Sequence, residues 1–173
     1  AAKTRLKQFP AAVQAHPILQ RIAEKVAATE NTEIGKPYMD LTLPDAAGEP
    51  VALSGIVGKG RWVLLDFWAT WCAPCCREIP HLREAYAACK SKGLEIYGVS
   101  LDNDAAKWRT FVADNDMPWI NVLGVNADKR SDAAAMYGIS SIPANFLISP
   151  KGIIVARDLR GENIKARLEE AMR

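Results

Sequence analysis

The segment that most constrains the fold is an apolar run at residues 62–67, WVLLDF, which a single acid, Asp66, interrupts. A continuous run of this kind is typical of a strand buried on both faces of a sheet. Cys72 and Cys75 follow it closely, and the residues after them carry apolar side chains at helical spacing. Those side chains are Cys75, Ile79, Leu82, Tyr86 and Cys89. The sequence therefore predicts a buried strand that turns into an amphipathic helix, with Cys72 at the join.

From residue 35 onward, strand and helix patterns alternate along the chain. A β-hairpin is predicted first, followed by the strand and the helix already described. Further strands are predicted at 94–101, 119–122, 145–148 and 153–157. A helix is predicted to open at 102–104 and run to 113, and further helices are predicted at 133–137 and 163–172. Helices between strands imply parallel crossovers, whereas the turn sequence at 149–152 implies an antiparallel pair. We therefore expect an α/β fold with a central mixed β-sheet flanked by helices on both faces.

Residues 1–34 are predicted to form a helical N-terminal extension, and residues 35–173 the main domain. Pro17 can open a helix whose apolar positions include Ile18 and Ile22. Gly35 and Pro37 mark the boundary. The extension fits either a cap on the domain or a remnant of a longer protein, and we favour the second.

The charges exclude some classes of partner. The net charge is +2 over 173 residues, and basic and acidic side chains are interspersed along the chain. This gives no reason to expect a nucleic acid or an anionic membrane as a partner. No run approaches the roughly 18 apolar residues that a membrane-spanning helix needs. No organic cofactor is implied.

The four cysteines, at positions 72, 75, 76 and 89, lie too close together to link distant loops. A C-x-x-C pair in a chain with its own core indicates redox chemistry or metal binding. A structural zinc needs four ligands, usually in two separated pairs, and only two histidines occur. A c-type haem attachment needs histidine after the second cysteine, where Cys76 stands. Redox chemistry is therefore favoured, with no metal.

The predicted position of Cys72 at a helix N-terminus favours its thiolate form. Unpaired backbone N–H groups and the helix dipole stabilise a negative charge there, and only the thiolate attacks a disulfide. Cys75 falls on the same face of the first helical turn, and Pro74 suits that turn because its missing N–H costs nothing. We assign Cys72 as the attacking cysteine and Cys75 as the resolving one.

Residues 66–75, DFWATWCAPC, resemble the active-site segment of thioredoxins, and the continuation CREIP at 76–80 is similar to the TlpA/ResA-like branch of that superfamily, which is related to the AhpC/TSA and redoxin proteins. The resemblance covers about residues 35–173. It implies a thioredoxin-like fold with a hairpin before the core, and disulfide exchange with protein substrates. It further implies an extracytoplasmic location and an upstream electron donor that it does not identify.

The resemblance gives two acids a role in proton transfer. Asp66 matches a buried aspartate, where desolvation should raise the pKa and allow the carboxyl to carry the proton of Cys75. From the residues alone, an acid at a strand end that reaches water is the favoured interpretation. Glu78 matches an acid near the cysteines of ResA-like proteins, and a surface glutamate is its alternative. ResA-like sequences often lack the aspartate, so which acid carries the proton stays open.

The resemblance also implies a substrate-binding surface. Pro143 matches a cis proline that faces the cysteine pair, and the backbone of Ile142 would pair with an extended substrate chain. Asn145 stands where threonine is expected. An exposed Trp71 would offer a flat apolar surface to protein substrates, although core packing also fits it. Ala73 and Pro74 complete this set, and they resemble the residues of reducing members, so a reductant is predicted.

Two further functions remain as alternatives. A peroxiredoxin-like thiol peroxidase would need the arrangement Pro-x-x-x-Thr-x-x-Cys, and the segment before Cys72 lacks that proline. The other alternative is a thioredoxin-like binding module or copper chaperone without turnover, and the intact Cys72/Cys75 pair argues against an inert module. Of the other cysteines, Cys89 belongs to the apolar helix face. Cys76 is either a passive helix residue or an extra thiol that traps mixed disulfides.

Overall fold

The computed structural model describes residues 8–173. Residues 1–7, which the sequence assigns to the helical extension, lie outside the described residues. The strands are β1 Thr42–Pro44, β2 Pro50–Ala52, β3 Trp62–Trp68, β4 Leu94–Ser100, β5 Ile120–Leu123, β6 Ala144–Ile148 and β7 Ile154–Arg157. The α-helices are α1 Ala11–Gln14, α2 Pro17–Asn31, α3 Ala73–Cys89, α4 Ala105–Asp114, α5 Asp132–Met136 and α6 Asn163–Ala171.

The central sheet has the strand order β5-β4-β3-β6-β7. Strands β3, β4 and β5 run parallel, because helices α3 and α4 return the chain across the sheet between them. Strands β6 and β7 are antiparallel to their neighbours, and a tight turn joins them. The predicted mixed sheet is confirmed, and β3, which leads into the cysteine pair, lies at its centre.

Both faces of the sheet are covered by buried side chains. Leu64 and Trp68 of β3 point to one face, where they join the buried sides of α3 and α6. Leu65 and Phe67 point to the other face and pack with Tyr137, which follows α5. The predicted apolar face of α3 is buried throughout its length. This confirms the predicted fold class, a sheet flanked by helices on both faces.

Some predicted boundaries shift by a few residues. The hairpin before the core pairs only between β1 and β2, since Leu53 already begins a short 3₁₀ turn. The helix that was predicted to open at 102–104 begins after Asp104, whose carboxylate accepts hydrogen bonds from the backbone N–H groups of Ala106 and Lys107. Helix α3 continues through Pro80.

The described part of the N-terminal extension is not one helix. Helix α1 ends at Gln14, and α2 starts after His16, whose side chain accepts a hydrogen bond from the N–H of Ile18. The apolar side chains of Ile18 and Ile22 are exposed. In the part of the chain that the structure covers, no helix is long and apolar enough to cross a membrane.

The segment after α2 is joined to the domain by hydrogen bonds. The N–H of Gly35 donates to the carbonyl of Ile154 at 2.8 Å, and the N–H of Tyr38 donates to that of Gly152 at 2.9 Å. The hydroxyl of Thr32 donates to the carbonyl of Tyr137 at 3.4 Å. The predicted boundary at residues 35–37 therefore runs along the edge of the sheet beside β7.

Helix α2 approaches the domain most closely at Gly138. A Cβ atom there would lie 2.9 Å from the backbone nitrogen of Thr29, and Gly138 has a φ of +66°. We expect Gly138→Ala to lower the free energy of unfolding by about 1 to 3 kcal/mol, measured by urea denaturation. Gly48→Ala is the matched control, because its φ is also positive but no atom lies within 4 Å of the added Cβ. Equal losses of unfolding free energy in the two variants would mean that the close contact with α2 contributes nothing to the cost of Gly138→Ala.

Candidate redox site

Cys72 and Cys75 form a disulfide at the start of α3. Cys72 is the N-cap residue, and its Sγ accepts a hydrogen bond from the N–H of Cys75 at 3.2 Å. Both cysteines are buried, whereas Trp71 beside them is 62% exposed. The N–H of Cys75 therefore faces the sulfur of Cys72, where this donor and the helix dipole stabilise a thiolate once the disulfide is reduced.

The loop that presents Cys72 is held by a buried acid that the sequence analysis did not identify. Asp102 accepts hydrogen bonds from the N–H of Thr70 at 2.9 Å and from its hydroxyl at 2.6 Å. The hydroxyl of Ser100 donates to the same carboxylate at 2.7 Å. The only sequence signal was an aspartate directly after a buried strand, and that signal was interpreted as a helix start.

The peptide bond between Ile142 and Pro143 is cis, which confirms the predicted isomer. The carbonyl oxygen of Ile142 lies 3.7 Å from the Sγ of Cys72. The loop before β6 is thus placed directly against the disulfide, as the resemblance implied. The contact joins residues far apart in the chain.

A groove of about 610 Å³ opens beside Cys72. Four of the predicted substrate-binding residues line it, namely Trp71, Ala73, Pro74 and Ile142. Pro143 adjoins the groove through Ile142 and is half-buried. Other lining residues are Leu101, Ala134, Ile139, Ser140 and Ser141. Among the described residues that line the groove, none has a charged side chain, so it favours an uncharged, largely apolar surface.

Asp66 is buried, with 6% of its surface exposed, and lies on β3 in register with Asn145 of β6. Burial raises the pKa of its carboxyl from 3.8 to about 7. The charge of Arg160 and a hydrogen bond from Asn145 lower this pKa, while the charge of Glu78 raises it. The interpretation of Asp66 as a solvated acid at a strand end is wrong.

Glu78 is half-buried on α3. Its Oε2 accepts a hydrogen bond from the N–H of Gly161 at 2.7 Å, which ties α3 to the segment before α6. The charge of Glu78 also acts on Asp66, and one oxygen of Glu78 is occupied by a backbone donor. Glu78 is thus a partly exposed helix residue that also has a partner in a distant segment.

Two residues near Asp66 were not identified as site residues from the sequence. The Asn145 side chain accepts from the N–H of Leu159 at 2.8 Å and donates to its carbonyl at 3.0 Å. Arg160 donates to the carbonyl of Pro143. No sequence signal distinguished Arg160, because its partners are supplied by distant parts of the chain.

The other two cysteines are not disulfide-bonded. Cys76 is half-buried with its Sγ 3.5 Å from the carbonyl of Thr70, and burial raises the pKa of its thiol. Cys89 is buried, as predicted, and burial raises its pKa too. Within residues 8–173, no three His, Cys, Asp or Glu side chains are grouped so that they could hold a metal ion. Because burial raises the pKa of both free thiols, each forms a thiolate less readily than an ordinary cysteine.

The sequence profile of the AhpC/TSA family matches residues 34–157. The thiol-disulfide oxidoreductase ResA of Bacillus thuringiensis subsp. konkukian (strain 97-27) is 34% identical over 144 residues, covering 83% of this chain and 79% of that protein. The chain belongs to the ResA-like branch of the thioredoxin superfamily. ResA of Bacillus subtilis (strain 168) is 33% identical over 129 residues, which are 75% of this chain and 69% of that protein.

Solved structures of this superfamily agree with the observed fold. The thioredoxin domain of a thiol-disulfide oxidoreductase from Bacteroides vulgatus superposes with a TM-score of 0.75 at 34% identity. The match covers 82% of this chain and 99% of that domain. Together with the Cys72–Cys75 disulfide, these relationships show that this ResA-like protein is a thiol-disulfide oxidoreductase with a C-x-x-C redox pair.

Proposed function

We propose that this ResA-like protein is a reductant of protein disulfides, with Cys72 as the attacking cysteine and Cys75 as the resolving one. One observation carries the assignment of the two cysteines: the sulfur of Cys72 is the N-cap acceptor of α3 and faces the groove beside Ile142. The proposed direction rests on Ala73 and Pro74, which resemble the residues of reducing members. The buried acid Asp66 lies on the strand that leads into the pair. A thiolate, a docking groove and a proton acceptor together suit disulfide exchange with a protein substrate.

The reaction starts from the reduced enzyme. The Cys72 thiolate attacks one sulfur of a substrate disulfide, so that a mixed disulfide forms and the other substrate sulfur leaves as a thiolate that takes up a proton. Cys75 then passes its proton to the Asp66 carboxylate and attacks the sulfur of Cys72. The second substrate thiol is released, and the enzyme is left with the Cys72–Cys75 disulfide. Two electrons have moved from the enzyme to the substrate.

Asp66 is proposed as the proton carrier, and Glu78 as a second acid whose charge raises the pKa of Asp66. A group that exchanges protons near neutral pH works best with a pKa in that range, and burial raises the pKa of Asp66 to about 7. One oxygen of Glu78 is occupied by the N–H of Gly161. Glu78 therefore acts mainly by fixing that segment and by adding negative charge near Asp66.

The substrate is proposed to be an extended protein segment. It would pair with the backbone of Ile142 beside Pro143, while Trp71, Ala73 and Pro74 contact its side chains. The uncharged lining of the groove and the exposure of Trp71 support this mode of binding. A substrate cysteine held against Ile142 would lie beside the sulfur of Cys72.

We expect Trp71→Ala to raise KM for a protein disulfide about three- to tenfold with a smaller change in kcat, since an aromatic contact contributes about 0.5 to 1.5 kcal/mol. Insulin reduction at several substrate concentrations measures this. A small aromatic disulfide reagent serves as the control substrate. It needs no extended docking surface, so it should react with wild type and with Trp71→Ala at similar rates. An equal loss of activity with both substrates would mean that Trp71 affects the reactivity of the Cys72–Cys75 pair and not the docking of the protein substrate.

The direction and class of reaction are tested together. An insulin-reduction assay combined with a peroxide-consumption assay distinguishes exchange from peroxidase activity. The reduction potential distinguishes a reductant from an oxidant: a value near about −120 mV, typical of strong oxidants, would contradict the proposed direction. No turnover in either assay would favour a binding module.

We further propose that the protein works outside the cytoplasm and receives electrons from a separate protein dithiol. The resemblance to ResA-like proteins supports this location, and the Cys72–Cys75 disulfide must be reduced again after each turnover. Residues 35–173 are proposed as the catalytic domain, and residues 1–34 as an extension of it. Cell fractionation tests the location, and recovery of disulfide-linked partners on Cys75→Ser tests the substrates and the donor.

A further inference from the structure

The segment between β7 and α6, residues 159–161, touches the redox site at several points. Arg160 donates one hydrogen bond to the carbonyl of Pro143 and another to that of Leu159 at 2.7 Å. Pro143 is the cis proline whose preceding carbonyl, that of Ile142, lies 3.7 Å from the sulfur of Cys72. The guanidinium of Arg160 is therefore linked to the sulfur of Cys72 through two residues, Pro143 and Ile142.

The backbone on either side of Arg160 is also fixed. Leu159 exchanges two hydrogen bonds with the side chain of Asn145, and Gly161 donates one to Glu78. Asn145 is the register partner of Asp66 across the sheet. The 159–161 segment thus connects the strand beside Asp66, the cis-proline loop and helix α3.

We propose that Arg160 is a positioning residue of the redox site: its guanidinium holds the carbonyl of Pro143 and supplies positive charge to the buried carboxyl of Asp66. One cation would then act on two parts of the reaction, the loop that receives the substrate and the acid that takes up the proton. Arginine suits both, because its planar group makes several hydrogen bonds and keeps its charge at every relevant pH.

The charges around Asp66 come from few elements. Helix α3 contributes Glu78, which raises the pKa of Asp66, and the 159–161 segment contributes Arg160, which lowers it. Strand β6 contributes the uncharged Asn145, and β4 contributes Gly98, which has no side chain. Asp158 lies 3.8 Å from the Arg160 guanidinium and partly offsets its charge. Loss of Arg160 should therefore increase the proton affinity of Asp66.

The test is a direct titration of the Asp66 carboxyl carbon by NMR in the oxidised protein, with Asp66→Asn to assign the signal. We expect Arg160→Met to move the midpoint to higher pH, so that the ionised fraction at pH 7 falls about two- to fivefold. Arg160→Lys keeps the charge and should stay near wild type. An unchanged midpoint in Arg160→Met, or equal shifts in both variants, would overturn the proposal.

Arg157→Met is the matched control. Arg157 also contacts Asp158, but its guanidinium lies over the ring of Phe146 on the opposite face of the sheet. The control should leave the Asp66 midpoint in place, and a shift equal to that of Arg160→Met would overturn the specific role of Arg160. If Arg160→Met does not fold, Arg160→Gln removes the same charge and is judged by the same outcomes.

The catalytic meaning of Arg160 rests on the proposed function of Asp66, but the titration does not, because it uses the oxidised protein without turnover. A second measurement links the two. The pH at which the resolving step reaches half its maximal rate should rise in Arg160→Met by the same amount as the titration midpoint. If only the titration moves, Asp66 is not the proton carrier, and the effect of Arg160 on its charge still stands.

Discussion

Cys72→Ser is expected to reduce disulfide exchange to the uncatalysed background, a loss of more than about a thousandfold. A serine hydroxyl does not ionise near neutral pH and does not attack a disulfide, so the first step has no nucleophile. The N-cap position and the groove remain, since serine is itself a favoured N-cap residue. Insulin reduction at pH 7 measures the loss. Substantial activity in this variant would contradict the assignment of Cys72 as the attacking sulfur.

Cys75→Ser should behave differently, because the first step remains possible and the second is lost. Turnover should fall to a similar extent, but a mixed disulfide between Cys72 and the substrate should accumulate and be visible on non-reducing gels. Cys76→Ser is the matched control: it removes a half-buried thiol next to Cys75 and should keep activity close to wild type. If Cys75→Ser still turns over, and mixed disulfides accumulate only when Cys76 is replaced as well, the resolving role belongs to Cys76.

Asp66→Asn is expected to slow the resolving step about a hundredfold at pH 8, since general base catalysis contributes roughly that much. The same change should stabilise the oxidised fold. Burial raises the pKa of the carboxyl from 3.8 to about 7, so the folded protein binds this proton more tightly than the unfolded chain. The variant is therefore expected to be slower in the resolving step and more stable in the oxidised state.

The direction of the pH dependence follows from this raised pKa. Below about pH 4 the carboxyl is protonated in both states and costs nothing. As the pH rises from 3.8 to about 7, the unfolded state loses the proton first, so the free energy of unfolding falls. Above pH 7 the folded protein carries the full cost of burying the ionised carboxyl. That cost is roughly 4 kcal/mol, since each unit of pKa difference between the folded and unfolded states contributes about 1.4 kcal/mol. Asparagine carries no charge and avoids it.

Urea denaturation of the oxidised protein at pH 4 and pH 8 tests this prediction. We expect Asp66→Asn to match wild type at pH 4 and to exceed its free energy of unfolding by roughly 3 to 4 kcal/mol at pH 8. Asp104→Asn is the control, because it replaces an exposed carboxylate with another good N-cap residue. A wild-type protein equally stable at both pH values would contradict a raised pKa for Asp66.

The redox pair and its local surroundings were predictable because they depend on residues close together in the chain. The apolar run of β3, the N-cap position of Cys72 and the apolar face of α3 follow from patterns a few residues long. The shorter strands β1 and β2 were less predictable, because Leu53 leaves the hairpin for a turn that packs against the sheet.

The acids show what such patterns cannot decide. The burial of Asp66 depends on strands β4 and β6 at its sides, and these lie about 30 and 80 residues away in the chain. The partner of Glu78, the N–H of Gly161, is 83 residues away. A glutamate on a helix has the same local pattern whether or not a distant backbone N–H reaches it.

Neighbouring residues specify the redox chemistry, because the strand, the helix and the two cysteines at their junction each depend on a short local pattern. The proton affinity of Asp66, the approach of Ile142 to Cys72 and the position of Arg160 against Pro143 depend instead on the packing of distant segments. A charge responds to everything packed around it, and no local pattern relates the segments that packing brings together.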